Sequence, residues 1–277
     1  MTDVFRKFDI RVFDAFIEKF AQKYVDLRNT FSSENADSLL AAAESLGSGF
    51  DISQIKSIVR KNSTYTDPAR ENGQSPSSVL NDIYRSDLGE LLTGYYFEER
   101  LGEGERYVIP LKNISFRERY DMPGRGNDVL GYRVSEDGSI TLLLGEAKVS
   151  GQNTNPPSVV DASRDSIYNA QKYYHDNMQT VSQRLCDYWK RLTSPKDLEV
   201  IGCAIMSLES DKVSITYGCG LVRDHTCVKD PEDFGKMRTD VESFRPGSVH
   251  FAIFSFSNAT IESTVQQFYE KVKEISR

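Results

Sequence analysis

The sequence predicts an α/β fold, a mixed β-sheet flanked by helices, preceded by a helical N-terminal extension. Three observations lead there. Beyond residue 78, short apolar runs rich in β-branched and aromatic residues alternate with stretches of helical spacing. Two of the runs flank an Asp137-Gly138 pair, the signature of a hairpin turn. Residues 1–60, in contrast, carry apolar residues mainly at helical spacing.

Taken in order, "FDAFIEKFAQKYVDL" is the first helix, and "SSENADSLLAAAESLG" a second, opened by serine and closed by glycine. Residues 61–77, polar and holding two prolines, read as a linker. The expected division is therefore 1–77, a helical region and linker suited to partner binding, and 78–277, the sheet domain. That domain opens with a long helix whose stripe is Val79, Ile83, Leu88, Leu91 and Leu92, with Gly102 as its stop. "RYVIPL" is a strand and "RERYDMPGRGND" a loop rich in arginine and glycine. "DVLGYRVSEDGSITLLLGEAKV" is the hairpin, and residues 158–192 are helical. "LEVIGCAIMSL", "KVSITYGCGLV" and "HFAIFSFS" read as three strands, and "ATIESTVQQFYEKVKEI" as a closing amphipathic helix. The order calls for helices on both faces of a mixed sheet.

Composition narrows the function. The 277 residues carry 34 Lys and Arg against 41 Asp and Glu, a net charge of −7. Chains that hold nucleic acid by charge alone are basic, so either DNA is not the partner, or contact with it is confined to a local basic surface, or another subunit brings it. No run of 18 apolar residues is present, so no membrane partner is expected. The charged N-terminus lacks the apolar core of a signal peptide, which predicts a cytoplasmic protein. The four cysteines form no C-x-x-C pair and are expected to be reduced. His225 lies between Cys219 and Cys227, yet no fourth zinc ligand stands at a plausible spacing. G-x-S-x-G, H-E-x-x-H and Walker A sequences are absent, and His175, His225 and His250 are scattered.

The chemistry concentrates in the hairpin. A three-residue turn, Glu136-Asp137-Gly138, pairs Ser135 with Ser139, and counting outward sets Asp128 opposite Glu146. Cross-strand partners have Cβ atoms about 4.5–5.5 Å apart. Alternation puts Lys148 on the same face. A two-residue turn would send Asp128 to the other face. Two carboxylates this close repel unless a cation lies between them. Mg²⁺, commonly held by one or two carboxylates and phosphate oxygens, suits the pair. A neighbouring lysine suits the charge of a reacting phosphate. Glu90, near the middle of the preceding helix, is the candidate for a third acid.

Asp128 followed by Glu146-Ala147-Lys148 resembles the D…(D/E)-x-K signature of the PD-(D/E)xK nuclease superfamily, with its restriction-endonuclease-like fold. Asn127 stands where the superfamily pattern has proline. More narrowly, "GELLTGYYFEERLG", "GRGNDVLGY" and "LLLGEAK" are similar to the HamA family, nuclease subunits of the Hachiman anti-phage system. The resemblance implies a Mg²⁺- (or Mn²⁺-) dependent deoxyribonuclease, with DNA and a HamB-like helicase subunit as partners. It implies metal held at Asp128, Glu146 and Ala147, catalysis by Lys148, and Glu90 as an auxiliary acid. Gln171, with Lys172 and Tyr173 on the helix after the motif, is a further candidate for orienting water or touching phosphate. The loop before the hairpin carries Arg117, Arg119 and Arg125, and Arg125, three residues before Asp128, is a candidate phosphate contact. Rival readings are a restriction or repair nuclease of the same fold and a non-catalytic binding module built on it.

Overall fold

In the computed structural model, residues 2–28, 78–116, 127–208 and 213–276 are described, together with 41, 42, 45, 53 and 54. Among the described residues six strands form one sheet: β1 (Val4–Ile10), β2 (Val108–Lys112), β3 (Val129–Val134), β4 (Ile140–Ser150), β5 (Ser214–Asp224) and β6 (Ser248–Phe256). Their order across the sheet is β1-β6-β5-β4-β3-β2. The β1–β6, β6–β5 and β5–β4 pairs are parallel, whereas β4–β3 and β3–β2 are antiparallel. The expected mixed α/β fold is thus present. The central strands β5 and β6 are buried almost throughout, as strands covered on both faces must be.

One face packs against α1 (Asp14–Arg28), α2 (Ser78–Tyr95) and a closing helix, Ile261–Ser276. Val129, Leu143, Val222 and Phe254 meet Phe20, Leu88, Leu92 and Phe268 there. The other face is covered by α3 (Ser158–Asp161), α4 (Ile167–Asp176), α5 (Met178–Trp189), α6 (Pro195–Leu208) and α7 (Gly235–Thr239). Leu142, Leu144, Leu221 and Ile253 pack there against Ile167, Leu185, Ile201 and Ala204. The closing helix is α8.

Two expectations are corrected. "LEVIGCAIMSL" is not a strand but most of α6. Ser194 accepts the Asp197 amide through its hydroxyl at 3.3 Å, and Pro195 sits in the first turn, a start signal that outweighs the apolar run. The N-terminus is not all helix, because Val4–Ile10 is the edge strand β1. Its register partner β6 lies about 240 residues away in sequence, as in Val4 opposite His250, so no local pattern marks it. Asp3 fixes that edge by accepting the Val249 amide at 2.9 Å and a two-point contact from Arg245. The second N-terminal helix and the linker expected at 61–77 lie outside the described residues, except for the isolated positions above.

Candidate active site

The turn forms as the glycine requires. Gly138 has φ of +81°, Ser135 N donates to Ser139 O at 2.9 Å, and the ladder runs from Val134:Ile140 to Val129:Gly145. Continuing that count puts Asp128 opposite Glu146. The last pair needs the glycine, because a Cβ on Gly145 would stand 2.5 Å from the Cβ of Val129. Beyond it β4 runs on to Ser150, paired with β5 alone. Its other edge is therefore open where the motif lies.

Asp128 takes the place of the missing ladder. Its Oδ2 accepts the Ala147 amide at 2.8 Å. Lys148 Nζ is 2.9 Å from Glu146 Oε1 and 3.0 Å from Asp165 Oδ2. By alternation, Asp128, Glu146 and Lys148 share the face of Leu130, Leu142 and Leu144. Burial pushes the Asp128 carboxyl well above the usual range, and the charge of Glu146 adds to it, against the Ala147 amide and Lys148. Burial likewise raises Glu146, against the pull of Lys148. Burial works against the Lys148 ammonium, but Glu146 more than offsets it, so the lysine stays charged above its usual range.

Glu90 is buried on α2 and lines, with Asp128, Gly94, Lys112 and Val129, a small cavity at the β2–β3 edge. The Tyr188 hydroxyl on α5 is raised by burial and by the charges of both Glu90 and Asp128. Glu90 therefore adjoins the pair. Among the described residues, however, no three His, Cys, Asp or Glu side chains group closely enough to hold a metal between them. The donors on offer are two carboxylates and one carbonyl. Ala147 can give only its backbone oxygen, and in a strand a residue's N–H and C=O point to the same side, here toward Asp128. Hard oxygen donors whose charge burial disfavours fit Mg²⁺ or Mn²⁺.

Gln171 is placed elsewhere. It is fully buried, and its amide nitrogen donates to Leu144 O at 2.9 Å and Gly218 O at 2.8 Å, bracing α4 against β4 and β5. Lys172 pairs with Asp176, and Tyr173 is exposed. Arg117, Arg119 and Arg125 lie outside the described residues. The histidines occupy three separate places: His175 bonds the Tyr217 hydroxyl, His250 the Thr2 carbonyl, and His225 faces Asp9.

Sequence reading missed four residues. Asp165 looks like any polar residue between two helices, yet it reaches Lys148. Arg184, Tyr174 and Asn127 form a chain, with Arg184 Nη1 donating to the Tyr174 hydroxyl at 2.8 Å and to Asn127 Oδ1 at 3.3 Å. Only helix packing brings α5 to the residue before Asp128, and no motif records that. A groove of about 880 Å³ opens beside Lys148, lined among others by Arg85, Gln152, Asp165, Asp224 and Glu262.

A family model described as HamA matches residues 13–272. No curated protein matches the chain, and neither does any solved structure. Among the described residues no helix is long and apolar enough to cross a membrane.

Proposed function

The chain belongs to the HamA family, and from that premise we propose that it is a metal-dependent DNA nuclease of the PD-(D/E)xK type. It would serve as the effector of an anti-phage complex with a helicase partner. Family membership is consistent with a component of the Hachiman defence system. One observation carries the nuclease reading: two buried acids and a charged lysine converge on the single open edge of β4.

Asp128, Glu146 and the Ala147 carbonyl would hold a divalent ion. When bound, such an ion supplies Lewis-acid chemistry and lowers the pKa of a water ligand. The chain's own residues do the rest. Lys148 presents a fixed ammonium, oriented by Glu146, toward the charge that builds on a phosphodiester under attack. The groove beside Lys148 gives a strand room to approach. Its acidic lining and the net charge of −7 leave the isolated chain a weak DNA binder, which suits an enzyme fed by a helicase.

Plasmid cleavage with Mg²⁺, alone and with the helicase, tests this. Lys148→Ala and Glu146→Gln should each slow cleavage by about 10²–10³-fold, the usual effect of removing one preorganised charge. Lys148→Ala leaves Glu146 buried without its cation, at a cost of about 1–3 kcal/mol. Glu146→Gln removes a charge that burial disfavours but leaves the Lys148 ammonium with Asp165 alone, so it should cost less. Inactivity in both, with cooperative melting retained, separates catalysis from folding. Cleavage that survives both changes would reject the site.

A further inference from the structure

Arg184 has no part in the reaction as described so far, yet its guanidinium is held in one orientation. Nη1 donates to the Tyr174 hydroxyl and to Asn127 Oδ1, and the group lies over the Tyr174 ring, 5.0 Å from its centroid. Stacking and two bonds on one side fix a planar fork. Arg184 is half-buried, and its charge acts on Glu146. An arginine in such a corner normally closes on a carboxylate in a bidentate pair. This one forms no ion pair among the described residues, because Tyr174 and Asn127 hold it back. Its Nε and Nη2 donors meet no protein acceptor there. Next to it the Asn127 Nδ2 is buried without a protein partner. Leaving that buried donor unmatched so close to Asp128 is costly unless an acceptor arrives. The carboxylates of the site bond Ala147 N and Lys148 instead, and none pairs with Arg184 among the described residues.

We infer that Arg184 is a substrate-binding residue, gripping the non-bridging oxygens of a phosphate on the DNA strand that enters beside Asp128. The inference rests on the nuclease reading and assigns α5 a role in it. A fork of two parallel N–H groups matches a phosphate better than an ammonium does. The arginine also supplies local positive charge to a chain whose overall balance is acidic. Tyr174 and Asn127 are positioning residues. They keep the fork open, and Asn127 ties it to the strand that carries Asp128.

The test is cleavage of a short fluorescent DNA duplex with Mg²⁺ across a series of salt concentrations, by the full chain and its variants. Arg184→Gln should lower kcat/KM about 10–100-fold, the loss expected of one charge-assisted contact. It should also make the plot of log(kcat/KM) against log salt shallower by about 0.7–0.9, the effect of one phosphate contact. Tyr174→Phe, which keeps the charge, should retain the wild-type slope. Arg184→Lys should retain that slope too, while losing roughly 10-fold in kcat/KM with the fork. A merely structural arginine would change the rate and the melting temperature but not the slope. An unchanged slope in Arg184→Gln therefore overturns the inference while leaving the nuclease intact. Should Arg184→Gln fail to fold, the lysine variant decides: undiminished kcat/KM there is equally fatal. Absence of cleavage by the wild-type chain under every condition removes the nuclease reading, and this inference with it.

Discussion

Asp128 has its charge disfavoured by the fold. A carboxyl whose folded pKa lies above its unfolded value favours folding at low pH, and that contribution is lost as pH rises through the folded pKa. Above the ordinary carboxylate range, and without divalent ions, the Asp128 carboxyl is therefore a strain on the protein. Asp128→Asn can keep accepting the Ala147 amide while removing the charge. The variant is expected to be more stable than wild type by about 1 kcal/mol, the size of a functional residue's typical stability cost. The gain should vanish below the ordinary carboxylate pKa of about 4 and open as pH rises above it. Added Mg²⁺ or Mn²⁺ should stabilise wild type but not Asp128→Asn, by about 2.7 kcal/mol at a hundred times Kd, and so raise the Tm of wild type alone. Calorimetry over pH, with and without metal, checks both. A less stable asparagine variant at neutral pH would show that the carboxylate is structural.

Two elements hold the motif strand still. The end of β4 is held by Arg223 of β5, which is wholly buried and paired with Asp233. Its guanidinium also donates to the carbonyls of Ser150, Gln152, Thr154 and Cys227. Removing one partner of such a pair strands the other, so Arg223→Ala should cost about 3–5 kcal/mol in denaturant melts. On the other side α4 is braced by Gln171, and Gln171→Ala removes two buried bonds between the helix and the sheet, at about 1–3 kcal/mol. If Gln171 only braces, cleavage per folded molecule should persist at low temperature. A large fall in kcat with normal melting would instead restore it to the water-orienting role expected from the sequence.

At the scale of the whole molecule, β1 belongs to the same sheet as the five later strands, and α1 shares one of its two cores with α2 and α8. Phe8 packs on Tyr96 and Phe254, and Phe20 of α1 on Tyr95. Deleting residues 1–28 would uncover β6 from His250 to Phe256 and expose an apolar face. An unpaired hydrophobic edge promotes aggregation. The truncated chain is expected to be insoluble or to lose its cooperative unfolding transition, as size-exclusion chromatography and melting would show. A soluble, cooperatively folded and active truncation would mean that the N-terminal segment is dispensable to the sheet domain.

Local chemistry was enough to read the hairpin. Asp137-Gly138 sets the turn, a strand's two-residue period sets the face, and together they place Asp128, Glu146 and Lys148 side by side. Both signals act over a few residues, so they survive without knowledge of the rest of the chain. The helical start at Ser194-Pro195 was equally local, and only the pull of an apolar run hid it. Other features depended on segments far apart in sequence. Parallel pairing of β1 with β6 leaves no trace in either segment, because a parallel strand's partner is set by the crossover between them. The meeting of Arg184 with Asn127, the bracing by Gln171 and the Arg223 knot arise from how helices dock on a sheet. Docking follows the shape of two buried faces, which no single stretch of residues encodes.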